Sequence, residues 1–145
     1  MSSDANKEMI DVQAIDHVVL RTTDMAAMLS FYRDLLGCPV ERELPTRVGL
    51  VQLRAGSGLI DLVPVDSELG RLGGRPPRQD GRNMEHVCLR IASVPEEALL
   101  AHLRGAGLEP SEFTERYGAE GFGRSLYIND PEGNVVELKF SLDSA

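Results

Sequence analysis

Long apolar runs are missing from this chain. Nowhere do the ~20 consecutive apolar residues of a membrane helix occur, so no membrane partner is expected. Tryptophan is absent and aromatics reach only 5%, which leaves little for stacking on a flat ligand. The two cysteines, Cys38 and Cys88, are too few for a disulfide framework and lack the spacing of a metal-binding cluster. Cys88 lies in a strand-like run and reads as a small buried apolar residue. Such cysteine usage fits a reducing cytoplasm. Positive charge is also scarce, and the net charge of −8 excludes the basic face that a nucleic-acid partner requires. The acidic balance favours a cationic ligand or a metal ion. Met1 to Val12 lack the basic start and apolar core of a signal peptide and read as a frayed tail.

What remains is 145 residues of ordinary globular composition, 42% hydrophobic and 26% charged, enough for one domain. Its main feature is a stretch used twice. Ile15-Asp16-His17-Val18-Val19-Leu20-Arg21 and Met84-Glu85-His86-Val87-Cys88-Leu89-Arg90 read alike: apolar, acidic, His, Val, small apolar, Leu, Arg. Two copies of one supersecondary unit are therefore expected.

The chain in order supports this. A strand over 14–21 is followed by a helix from Met25 to Leu36, capped by Thr23 and Asp24 and closed by Gly37. Strands over 40–44, 48–54 and 59–63 complete a β-α-β-β-β unit. A Gly/Pro/Arg-rich, mobile connector over 66–83 carries Arg71, Arg75, Arg78 and Arg82; these arginines are placed to meet an anionic ligand, but such runs are usually a solvated face. The second unit has a strand over 84–92, a Ser93–Glu96 capping box and a helix through Leu99, Leu100 and Leu103. A strand over 111–116, a flap over 117–123 and a hairpin (124–128 and 134–140) across Asp130-Pro131-Glu132-Gly133 follow. The predicted boundaries are a tail (1–13), a first module (14–65), the connector (66–83) and a second module (84–141). The class is α+β, with two tandem βαβββ modules in one structural domain.

Strand parity selects the chemistry. In the last strand Val136, Leu138 and Phe140 share one face, which turns Glu137 to the other. The equivalent strand pairs Ile60 and Leu62 with those apolar positions, so Asp61 matches Glu137. In the opening strands the same argument turns His17 and His86 to the concave side. Two His and two carboxylates, one pair per module, suit a divalent ion such as Zn, Ni, Mn or Fe. A lone His is more often a satisfied core residue; two at equivalent repeat positions are harder to explain so. Asp61 reads equally well as a carboxylate bonded to a neighbouring Arg. Ser125 and Tyr127 face the same side. Arg21 and Arg90 share parity with the two His and are candidates for binding a substrate carboxylate, or for pairing with the site's acids. Phe122 is a candidate lid contact of the flap, whereas His102, on the second helix, reads as a surface residue.

The two acidic-His-Val strands and the closing Asn129-Asp130-Pro131-Glu132-Gly133-Asn134-Val135-Val136-Glu137-Leu138 resemble the vicinal oxygen chelate superfamily over residues 14–141. That group includes glyoxalase I, fosfomycin-resistance thiol transferases, methylmalonyl-CoA epimerase, extradiol dioxygenases and bleomycin-resistance proteins. The resemblance implies a curved mixed sheet, a half-barrel around a cavity with helices outside. It implies one divalent ion per site on His17, His86 and Glu137, in a homodimer whose sites form within one chain or across two. The family's fourth ligand, usually Glu or Gln, falls on Asp61, which is then a ligand, a water-mediated ligand or the base. The implied activity is that of a glyoxalase-like lyase, isomerase or thiol transferase on a small substrate with vicinal oxygens, with Glu137 or Asp61 moving the proton. Metal-free capture of a drug, as in bleomycin resistance, is the alternative from another class. An extradiol dioxygenase is a third, weakened by the lack of a further His for the pocket.

Overall fold

The structure is a computed structural model that describes residues 9–142. The tail expected over 1–13 lies outside the described residues as far as residue 8. Two four-stranded sheets form, one per module, as the repeat predicts. The first contains β1 (His17–Thr22), β2 (Val40–Leu44), β3 (Leu50–Ala55) and β4 (Gly58–Pro64), in the spatial order β1-β4-β3-β2. The second contains β5 (Val87–Ile91), β6 (Thr114–Gly118), β7 (Gly121–Asn129) and β8 (Val135–Phe140), in the order β5-β8-β7-β6. In each sheet the first strand runs parallel to the last, and the other neighbours are antiparallel. The connection between the two parallel strands of each sheet runs through one helix and two further strands, long enough for the crossover a parallel pair needs. β1 and β5 are therefore edge strands.

The first helix forms in two parts, α1 (Met25–Leu29) and a wider π-helical stretch (Ser30–Leu35). Asp24 caps it, its carboxylate accepting from the Ala27 amide. The second helix, α2 (Glu96–Gly105), has Pro95 rather than Ser93 at its N-cap position, and Pro95 offers no side-chain cap. Pro supplies the turn's fixed φ instead, and Glu96 and Glu97 favour the positive helix end.

The apolar faces of both sheets and both helices meet in one core. Leu20, Met28, Phe31, Tyr32, Leu53, Ile60, Leu62, Leu103, Leu126, Ile128, Val136 and Leu138 are all buried in it. Burial of each large apolar side chain contributes ~1.5–3 kcal/mol. The modules are also joined by polar bonds at the closing turn. The Tyr32 hydroxyl donates to Asp130 at 2.6 Å inside the protein, and burial, then the Asp130 charge, push its acidity far weaker than usual. Asp130 in turn accepts from the Glu132 and Asn134 amides, which fixes the turn. Glu132 reaches back to Thr22 and Thr23 at the end of β1.

Two expected loops prove ordered. The connector contains a short 3₁₀ turn (Gly70–Gly73) and is held by Arg21, whose guanidinium donates to the carbonyls of Gly70, Gly73, Gly74 and Arg75. The expected flap is a tight hairpin: β6 runs to Gly118 and β7 starts at Gly121. No helix among the described residues is long and apolar enough to cross a membrane.

Candidate functional site

The parity argument places His17 beside Asp61 and His86 beside Glu137. β1 pairs with β4 and β5 with β8 in equivalent register, with Val19 opposite Asp61 and Cys88 opposite Glu137. Each His stands just before the residue opposite Ile60 or Val136, at the mouth of its strand. Its Nε2 then approaches the carboxylate, at 3.8 Å from Asp61 and 3.1 Å from Glu137. Asp61 and Glu137 are buried, at 3% and 5% exposure, while both His remain open to solvent.

The other ring nitrogen is held as well. His17 Nδ1 contacts Asp16 at 2.6 Å, and His86 Nδ1 contacts Glu85. A ring that donates its Nδ1 proton to a carboxylate presents a lone pair at Nε2. Here that lone pair faces a second carboxylate in both modules. Two acceptors face to face need a positive species between them, a proton or a metal cation, so the donor set fits a divalent ion. The Asp16 bond first, then the Asp61 charge, raise the His17 basicity above the imidazole norm. Asp16 and Glu85 are partners of the two His that the residue-by-residue reading passed over; their place before each His in the repeat is the signal.

The four candidates do not gather within one chain. Among the described residues no group of three or more His, Cys, Asp or Glu stands close enough to hold a metal ion. A cleft of about 640 Å³ runs between the edges of the two sheets and takes in His17, Cys88 and Arg90, but not His86, Asp61 or Glu137. Each module thus carries its own His–carboxylate pair on the sheet face turned away from the helices.

The remaining candidates divide. Tyr127 lies opposite Glu137, its ring edge-on to His86 at 5.5 Å and under the Arg116 guanidinium at 4.3 Å. Ser125 is fully buried and accepts from Arg116 at 3.0 Å. Arg90 pairs with Glu120 at 3.5 Å on the same face. Arg21 is committed to the connector carbonyls. Phe122 alternates with Gly123 and so falls on the helix side, edge-on to Tyr117 at 5.0 Å. His102 bonds the Leu35 carbonyl at 3.1 Å. Cys88 is exposed and not a core residue; burial of its thiol, then the Glu137 charge, push its pKa up to about 11, so it stays protonated at neutral pH. Gln52, not singled out from the sequence, lies opposite Asp61 and donates to both its oxygens at 3.1 and 3.2 Å.

A family model described as "Glyoxalase/Bleomycin resistance protein/Dioxygenase superfamily" matches residues 14–138. Virulence protein STM3117 of Salmonella typhimurium is 30% identical over 128 residues, covering 88% of this chain and 83% of that protein. Its crystal structure superposes with a TM-score of 0.69, over 92% of this chain and 100% of that one. Biphenyl-2,3-diol 1,2-dioxygenase 3 of Rhodococcus globerulus is 29% identical over 132 residues, covering 85% of this chain and 60% of that longer enzyme. The lactoylglutathione lyase of Agrobacterium tumefaciens is alike in fold, with a TM-score of 0.64 at 22% identity over 91% of this chain and 96% of that one.

Proposed function

The chain belongs to the Glyoxalase/Bleomycin resistance protein/Dioxygenase superfamily, and on that premise we propose that it is a divalent-metal-dependent enzyme of glyoxalase type. Its reaction is that of a lyase, isomerase or thiol transferase on a small substrate with neighbouring oxygens. One observation carries this reading: in both modules a His held at Nδ1 aims Nε2 at a buried carboxylate. A bound Zn, Ni, Mn or Fe ion supplies Lewis acidity toward the substrate oxygens. Glu137 takes and returns the proton, having the longer side chain and lacking the amide grip that fixes Asp61. Tyr127, beside Glu137, orients the substrate.

The site is completed by a second copy of the chain. His86 and Glu137 of one chain and His17 and Asp61 of the other surround the ion. Each half-site borders an unpaired sheet edge, β1 or β5, and at the first of these Ile15 and Val19 stand exposed. Open edges of this kind are usually covered.

The test is metal content by mass spectrometry. Wild type is expected to hold one divalent ion per chain, and His17→Ala and His86→Ala alone none. Mixed dimers of the two variants, purified through two different affinity tags, regain one ion per two chains, because one of their two shared sites is intact. Mixed dimers without metal overturn the shared site, and wild type without metal after reconstitution overturns the metalloenzyme.

A further inference from the structure

The second sheet carries a cation with no ion-pair partner among the described residues. Lys139 follows Glu137 on the same face of β8 and is only 4% exposed. Lysine is almost never buried to this degree without a partner. Yet among the described residues its ammonium has neither an ion pair nor a hydrogen bond. It is not sealed in, because no buried side-chain nitrogen is left without a partner; Nζ keeps contact with solvent while the stem is covered.

Two glycines make the passage for that stem. A Cβ on Gly118 would stand 3.1 Å from Lys139 Cδ and Cε, and one on Gly123 would stand 2.9 Å from Nζ. The side chain therefore crosses the sheet over β7 and β6 toward their hairpin, and a side chain at either position would push it from its present path. Arg90 lies opposite Lys139 on β5, and Ser125 opposite it on β7. Arg116 lies opposite Gly123. The face thus gathers three cations in an acidic protein. Arg90 is part-neutralised by Glu120 and Arg116 is committed to Ser125 and Tyr127. Among the described residues Lys139 is the cation on this face without an ion pair.

From this geometry we infer that Lys139 forms an anion subsite, taking a carboxylate or phosphate end of the substrate. It stands one side-chain repeat along β8 from Glu137, about 7 Å between Cα atoms, and the inference rests on Glu137 marking the reaction centre. The substrate class narrows accordingly: a small molecule with metal-binding oxygens at one end and an anion at the other. An ammonium held in place by its covered stem, with no ion pair among the described residues, gains a charge-assisted hydrogen bond from such a group at little cost in reorganisation.

The experiment is an amide-shift NMR titration of the metal-free protein with inorganic phosphate and, separately, with acetate, so that it does not depend on metal binding. Shifts confined to Gly118, Gly123, Lys139 and their neighbours are expected, with the better-bound probe telling phosphate-ended from carboxylate-ended substrates. Lys139→Met, which keeps the stem, is expected to weaken binding by about tenfold or more, and Lys139→Arg to restore most of it. Shifts elsewhere, such as at the connector arginines, or the same affinity in Lys139→Met, overturn the subsite, as does no binding of either probe. Divalent-ion binding, measured in parallel with Glu137→Gln, reports separately on the metal site. Should Lys139→Met not fold, the location of the wild-type shifts decides alone.

Discussion

In the first module Asp61 is gripped: the Gln52 amide reaches both its oxygens, and Arg42 holds the Gln52 carbonyl oxygen at 3.1 Å, which fixes the amide's orientation. In the second module Tyr127 occupies the equivalent position, and Glu137 meets His86 and the Cys88 thiol instead. The backbone plan is the same and the carboxylates are equally buried. The difference is in restraint. A carboxylate bonded twice by a neutral amide is oriented but not free to turn, whereas a longer one with fewer fixed partners can approach and leave a ligand. The two halves of the repeat thus separate holding from moving.

That contrast is broken most directly at the carboxylates. Glu137→Gln is expected to weaken divalent-ion binding by more than about 100-fold, beyond the usual loss for outer contacts, and Asp61→Asn by about tenfold. Equal losses in a competition titration with a chromophoric chelator would erase the distinction. An effect smaller than that of Glu137→Gln is expected one contact further out. Asp16→Asn and Glu85→Gln each lower affinity by about tenfold, the low end of the range for outer contacts, since each frees a ring from its orienting bond. The raised basicity of His17 gives this a pH signature. Its proton is held to higher pH than in an ordinary imidazole, so metal uptake there fails at a correspondingly higher pH as acid is added; Asp16→Asn moves that failure to lower pH. The smallest effect concerns the seam between the modules. At Glu132 burial alone would raise the carboxyl pKa, but the bonds from Thr22 and Thr23 outweigh it and hold it below its usual value. Its stabilisation is thus present above the ordinary carboxylate range and is lost as pH falls through the lowered value. Glu132→Gln is expected to cost about 1–3 kcal/mol at neutral pH and to flatten the acid dependence, read from urea unfolding at several pH values.

Much of this was legible in the sequence. A period of two, applied to a repeat, is enough to put His17 with Asp61 and His86 with Glu137, because buried apolar neighbours leave each strand one choice of face. The same rule would have exposed Cys88, two residues from His86, had its small apolar character not argued for the core. Phe122 was misplaced because a Gly-rich run reads as a loop; the chain turns within two residues, and strand alternation then sends the ring to the helix side. Lys139 was legible in parity and illegible in burial, which depends on the gap left by glycines on two other strands. Arg21 was unreadable as a strap because its partners are backbone carbonyls some fifty residues away, and carbonyls have no sequence signature.

That strap has a bearing on how the chain tolerates change. Arg21 fastens residues up to Arg75 to the first module, and Arg82 fastens itself to the Glu132 carbonyl and Asn134 of the second. Between these two anchors lie six residues, 76–81, able to span about 20 Å at full extension. Insertions, a proteolytic nick or new chain termini are best accommodated in that interval, since either module keeps its own fastening when it is cut.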